Sequence, residues 1–261
     1  MSEANEHRSG SPATEPVAVI TGGARGIGLA TARLLLATGW RVVVADRDPL
    51  DPDGDEERDA VCGVHAVVVD VANSTSVDAL FLDITKRFGR LDALINAAGF
   101  NRHQASEALE DATWSAQFEV HLGGTLRCCR AAFPALRACG NGRIVNFSSV
   151  AARRGRPHRA PYSAAKAGIE ALTRTLAVEW APQGIRVNAV VPGWIDTRLV
   201  RANLASGSSH LNRLLDAIPL RRLGRPAEVA EVVGFLLSDA SSYMTGQSLV
   251  IDGGALINGD W

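Results

Sequence analysis

Seven short apolar runs recur along the chain, each separated from the next by a stretch of different character. They are Val17 to Ile20, Arg41 to Ala45, His65 to Val69, Ala93 to Ile95, Gly142 to Phe147, Arg186 to Val191 and Ser248 to Ile251. Most are continuous rather than alternating, as expected of strands covered on both faces. Helical periodicity fills the gaps, most clearly at Ile27 to Thr38, Ser74 to Phe88, Trp114 to Arg137, Tyr162 to Trp180 and Pro226 to Leu237. This alternation predicts an α/β fold: a doubly wound parallel sheet of about seven strands with helices on both faces. One gap breaks the pattern. Asp48 to Asp59 holds two prolines and seven acidic residues, so an acidic loop is expected there in place of a helix.

No internal repeat or low-complexity linker follows residue 16, so residues 16–261 read as one domain. A chain of 27.6 kDa can bury a large core in that form. Met1 to Glu15 is polar, lacks the basic-then-apolar order of a signal peptide, and is expected to be a disordered tail on a cytoplasmic protein. The net charge of −1 gives no overall field to recruit nucleic acid or a membrane surface, and no apolar run reaches membrane-spanning length. Cys62, Cys128, Cys129 and Cys139 lack metal-ligand and Cys-x-x-Cys spacing, so no metal is expected and the thiols read as reduced and mostly buried.

The first run leads directly into glycines: Val17-Ala-Val-Ile-Thr-Gly-Gly-Ala-Arg-Gly-Ile-Gly28. A strand, a glycine turn and a helix start in this order suit a dinucleotide. Gly22, Gly26 and Gly28 let the backbone turn tightly and approach a pyrophosphate at the helix N-terminus. A single-domain Rossmann fold is the architecture that uses such a turn. Asp46 ends the second run, eighteen residues after Gly28. An acid there can accept both hydroxyls of an adenosine ribose and repel a 2′-phosphate, unless it is an ordinary strand-end turn residue. The acidic loop adds to that repulsion, whereas Arg47 would attract a 2′-phosphate. On balance NAD is favoured over NADP.

Positive charge is carried by 25 arginines and by only two lysines, Lys86 and Lys166. Lys166 lies four residues after Tyr162, and Ser149 lies thirteen residues before that tyrosine. Positions i and i+4 share a helix face, so phenol and ammonium can point into one cleft. A lysine kept here suggests chemistry that wants a compact ammonium rather than a planar guanidinium.

Taken together these motifs resemble the short-chain dehydrogenase/reductase family in its classical form, over residues 16–257. The matching segments are Thr21-Gly-Gly-Ala-Arg25-Gly-Ile27-Gly28, Asp70-Val71, Asn96-Ala97-Ala-Gly99, Ser149, Tyr162 with Lys166, Pro192-Gly193-Trp-Ile195-Asp-Thr197, and Thr245 to Gly254. The resemblance implies that Asp70 and Val71 contact the adenine and that the Asn96–Gly99 turn packs along the adenosine side. It implies that Ile195 and Thr197 hold the nicotinamide carboxamide. Tyr162 would be the acid/base, Ser149 would hold the substrate oxygen, and Lys166 would bind the nicotinamide ribose and lower the tyrosine pKa. The family's catalytic asparagine corresponds to His121, where a bend in the helix is expected and the backbone carbonyl serves a water-mediated relay. A packed helix histidine is the other reading of that position.

The expected function is NAD-dependent interconversion of a secondary alcohol and a ketone, a reaction on CH–OH groups. NADP-dependent reduction of a 3-oxoacyl thioester is the alternative enzyme. A redox-inactive dinucleotide sensor or scaffold is the alternative from another class, opposed by the intact Ser149, Tyr162 and Lys166. Arg153, Arg154, Arg156, His158 and Arg159, with Arg102 and His103, read first as a solvated or intersubunit arginine cluster, with an anionic small-molecule substrate as the other reading. Leu199 to Leu220 is expected to cover the substrate. The resemblance further implies a homotetramer or homodimer paired through the two longest helices.

Overall fold

The computed structural model describes residues 15–50, 63–198, 200–201 and 208–258. Seven parallel strands form one sheet: β1 (Val17–Thr21), β2 (Arg41–Asp46), β3 (Val64–Val68), β4 (Ala93–Asn96), β5 (Gly142–Phe147), β6 (Ile185–Pro192) and β7 (Ser248–Ile251). Their order is β3-β2-β1-β4-β5-β6-β7. The strand order reverses beside β1, so loops leaving β1 and β4 part to opposite faces and open a crevice at the carboxyl ends. All seven expected strands form, with β3 one residue earlier than its apolar run suggests.

Period-two alternation inside each continuous run explains the two layers. Val17 and Val19 of β1 face a core shared with Val43, Leu94 and Val187. That layer is closed by α2 (Ser74–Phe88), α4 (Gly124–Ala138) and α5 (Ala160–Trp180). Ala18 and Ile20 face the opposite core with Val44, Ile95 and Val190. There α1 (Gly26–Ala37) brings Leu35, and a helix at Pro226–Leu237 brings Val233 and Leu236. Local chemistry fixes the ends. Asn73 caps α2 by accepting from the Ser76 N–H at 3.1 Å, and Gly89 stops it with a left-handed φ of 68°, as capping rules require.

The long helix expected from Trp114 to Arg137 is interrupted. α3 (Asp111–Phe118) runs into one π turn, Glu119–Gly123, before α4 begins. Such bulges often occur at functional positions. The expected acidic loop lies mostly outside the described residues, as does the N-terminal tail. Within the expected substrate cover, residues 199 and 202–207 are also outside them. The remainder holds α6 (Ser208–Asp216), and the Pro226–Leu237 helix is α7. Leu214 and Ile218 pack with Ala255, Trp194 and Leu223 in a small separate cluster, so this part of the cover is anchored by apolar contacts. No helix among the described residues is long and apolar enough to cross a membrane.

Candidate active site

The crevice is a cleft of about 690 Å³ at the carboxyl ends of the strands. Gly22 and Gly26 adopt φ of 67° and 55°, a region costly for other residues. A Cβ on Gly22 would lie 2.6 Å from the backbone of Ala98, and one on Gly28 would strike the Gly22 carbonyl oxygen. At Gly22 and Gly28 the turn therefore has no room for a side chain, and it opens onto the N-terminus of α1. These features fit a dinucleotide pyrophosphate.

Arg25, Ile27, Asp46, Arg47, Asp70, Val71, Ala97, Gly99, Pro192, Gly193, Ile195 and Thr197 border the same cleft as the three glycines. Asn96 is the exception among the expected cofactor residues. Its side chain turns into the core, where the amide donates to Asn146 Oδ1 at 2.9 Å, and Asn146 in turn donates to Thr173 at 2.9 Å. Asn96 thus ties β4 to β5, and the turn after it, Ala97 to Gly99, faces the cleft.

Asp46 accepts from the Ala24 N–H at 3.1 Å and from the Asp48 N–H at 3.2 Å. The carboxylate links the glycine turn to the end of β2 and keeps lone pairs for further donors. Arg25 pairs with Asp48 at 3.0 Å, and Arg47 lies 3.9 Å from the same carboxylate. Both arginines beside Asp46 therefore face a carboxylate already.

Ser149, Tyr162 and Lys166 converge on the inner end of the cleft. The Ser149 hydroxyl lies close enough to the Tyr162 phenol to favour its ionised form, and its oxygen is fixed by the Ala151 N–H at 3.2 Å. The Ser148 hydroxyl is taken up by α5, its one proton shared between the Lys166 carbonyl at 3.1 Å and Glu170 Oε1 at 3.0 Å. Lys166 is 5% exposed and donates from Nζ to the Phe147 carbonyl at 2.6 Å. Its Nζ lies 5.7 Å from the centre of the Tyr162 ring. Burial lowers the lysine pKa from 10.5 to about 7.

The tyrosine differs from expectation. Its pKa is raised above 10, because burial outweighs the Ser149 hydrogen bond and the Arg159 charge. The expected lowering by Lys166 is not realised in the protein alone, since the ammonium is turned to Phe147 and is itself weakened by burial.

His121 sits at the centre of the π turn, 2% exposed. A carbonyl can only accept, so the 2.6 Å contact with Phe100 O makes Nε2 the protonated nitrogen. Nδ1 has no partner among the described residues. The ring meets Tyr162 edge-on at 5.2 Å and stacks on Phe100 at 5.8 Å. A Cβ on Gly99 would come within 2.7 Å of Nδ1, so the glycine makes space for the imidazole. Burial, then the Lys166 charge, lowers its pKa to about 3. The ring is therefore neutral near pH 7. Its backbone carbonyl accepts from the Thr125 hydroxyl at 2.7 Å.

The arginine cluster divides. Arg153 forks onto buried Glu170, with contacts of 2.8 to 3.2 Å, and Arg154 donates to the Ala255 carbonyl at 3.3 Å. These two hold the loop in place and are withdrawn from any shared anion site. Arg156 and Arg159 instead stack on Trp194, at 4.4 and 5.5 Å from its ring. Glu170 and Trp194 were not legible as partners in the sequence. A lone acid inside an apolar helix face near an arginine-rich loop was the only signal for Glu170.

A family model described as enoyl-(acyl carrier protein) reductase matches residues 22–255. Cis-4-hydroxycyclohexanecarboxylate dehydrogenase of Sinomonas cyclohexanicum is 42% identical over 254 residues, 94% of this chain and 98% of that protein. A 3-oxoacyl-[acyl-carrier-protein] reductase of Synechocystis is 39% identical over 248 residues, 94% of this chain and 98% of its own. The crystal structure of levodione reductase superposes with a TM-score of 0.86 at 33% identity, covering 94% of this chain and 98% of that one. The chain belongs to the classical short-chain dehydrogenase/reductase family of oxidoreductases.

Proposed function

We propose that the protein is an NAD-dependent oxidoreductase that interconverts a secondary alcohol and a ketone, with Tyr162 as acid/base. The observation that carries this reading is the convergence of Ser149, Tyr162 and Lys166 at the inner end of a glycine-cradled cleft. A dinucleotide, when bound, supplies or accepts the hydride. Gly22, Gly26 and Gly28 would hold its pyrophosphate, Asp46 its adenosine ribose, and Ile195 and Thr197 its nicotinamide end. Ser149 orients the substrate oxygen toward the phenol. In ketone reduction the buried phenol, protonated at neutral pH, gives its proton from Oη. In alcohol oxidation Oη takes the proton back, and Lys166 supplies the nearby cation that favours phenolate.

NAD is favoured by the Asp46 carboxylate, which borders the cleft beside the glycine turn, and by Asp48, which already pairs with Arg25. Reduction of a 3-oxoacyl thioester with NADP is the second reading, favoured by the Synechocystis relative and by the side chain of Arg47, 76% exposed at the cleft edge. The cyclohexanecarboxylate relative supports the first. Catalytic efficiency with NAD and NADP, measured on 4-hydroxycyclohexanecarboxylates and on acetoacetyl thioesters, separates them. A clear NADP preference with thioester turnover overturns the proposal. Asp46→Ala is expected to narrow the gap between the cofactors.

A further inference from the structure

We propose that the His121 side chain is a positioning residue for the dinucleotide: by gripping Gly99 and the Phe100 carbonyl it fixes the turn after β4 as a wall of the cleft. This rests on the reading of the cleft as a dinucleotide site. It gives the side chain at this position a role of its own, beside the backbone role expected there.

The turn is seated on β1 at its near end. The Ala97 N–H donates to the Thr21 carbonyl at 3.1 Å, and the Ala98 N–H donates to the Thr21 hydroxyl at 3.4 Å. Gly22 of the glycine turn approaches so closely that a Cβ on it would lie 2.6 Å from the Ala98 backbone. Ala97, Ala98, Gly99 and Phe100 all border the cleft. A shift of this turn therefore reshapes the wall beside the glycines, and Gly22 leaves it no room to move inward.

His121 holds the far end. Its Nε2–H donates to the Phe100 carbonyl at 2.6 Å, and its ring stacks on the Phe100 ring at 5.8 Å with 26° between the planes. The opposite edge of the imidazole fills the notch over Gly99. A Cβ on Gly99 would strike Cε1 and lie 2.7 Å from Nδ1. All three atoms nearest to such a Cβ belong to this ring, and Gly99 has no left-handed φ that would call for glycine. Within the protein, the missing side chain at 99 answers to the imidazole.

The grip is itself anchored. His121 stands in the π turn Glu119–Gly123 and is 2% exposed, and its carbonyl accepts from the Thr125 hydroxyl at 2.7 Å. The ring meets Tyr162 edge-on at 5.2 Å, so one side chain touches both the wall and the residue proposed to move the proton. Nδ1 has no partner among the described residues, and a buried acceptor left so is unfavourable. The imidazole is retained for its outline and its Nε2–H. An asparagine amide, which reaches only as far as Nδ1 does, would supply neither.

The test reads dinucleotide affinity in the folded protein, by calorimetry with NAD and with NADP, and a thermal midpoint accompanies each variant. Gly99→Ala should weaken binding of the nucleotide that the wild type prefers by about tenfold, an effect of the size that contacting residues exert on one another. His121→Gln places an amide donor where Nε2 was and removes the ring edge over Gly99. It should keep affinity within about threefold of wild type, and in the double variant it should restore most of what Gly99→Ala loses alone. His121→Leu removes the donor and should weaken binding by about tenfold. Wild-type affinity in both Gly99→Ala and His121→Leu, even with lower thermal midpoints, reduces the contact to packing and overturns the positioning role. So does an equal loss from Gly99→Ala whether residue 121 is His or Gln, because the ring is then not what the Cβ meets. Should Gly99→Ala fail to fold, the other two variants decide: loss in His121→Leu with retention in His121→Gln supports the role, and equal affinity in the two overturns it. A wild type that binds neither nucleotide refutes the dinucleotide reading and the role with it, an outcome distinct from a wild type that binds and variants that bind equally well.

Discussion

Lys166 is a buried cation whose removal should stabilise the protein. Its pKa falls from 10.5 to about 7 on folding, so between those values the unfolded chain binds more protons than the native one. For a basic group shifted down, stability is lost below the native pKa and recovered as pH rises toward the unfolded one. Linkage puts the penalty at roughly 4 kcal/mol at pH 7, falling to roughly 1 kcal/mol at about pH 9.5. Lys166→Met keeps most of the side-chain volume and removes the charge. It also removes the Nζ–H bond to the Phe147 carbonyl, a loss of about 1–3 kcal/mol. The variant should therefore be about 1–3 kcal/mol more stable than wild type at pH 7, with the advantage gone or reversed near pH 9.5. Urea unfolding followed by circular dichroism at both pH values measures this. A variant less stable than wild type at pH 7, or a difference that ignores pH, refutes the reasoning. Turnover should be lost throughout, the outcome expected of a lysine kept for chemistry at the expense of stability.

Tyr162→Phe should reduce turnover by at least a thousandfold while NAD affinity, read by calorimetry, stays nearly the same. Substantial residual turnover would remove the phenol from the proposed mechanism. His121→Asn leaves the Phe100 carbonyl without its donor and a gap beside Tyr162, so it should cost about 1–3 kcal/mol of stability. The pH–rate profile between pH 5 and 8 should keep its shape, because an imidazole with a pKa of about 3 stays neutral there; a lost inflection near pH 6.5 would show that the ring titrates during turnover. Val178 of α5 is 78% exposed and Leu126 of α4 is 43% exposed, so sedimentation at micromolar concentration should show a dimer or tetramer. A single species near 27.6 kDa would contradict pairing through these helices.

The sheet, its parallel sense and its glycine turn were legible because each rests on local chemistry. Continuous apolar runs between amphipathic stretches need cover on both faces. Gly22 and Gly28 have no room for a Cβ, and Asn73 and Gly89 punctuate α2. Tyr162 and Lys166 were legible together because four residues make one helix turn and a bit more. What spacing alone could not decide was the direction of each side chain and the dielectric around it. Asn96 reads as a cofactor residue in its motif, yet its amide is taken by Asn146 across the sheet. Arg153 and Arg159 look alike in one loop, but only tertiary packing brings Glu170 to the first and Trp194 to the second. The phenol of Tyr162 is raised rather than lowered for the same reason. A pKa depends on how many neighbours exclude water and where the nearest charge points, and both are set by residues far away along the chain.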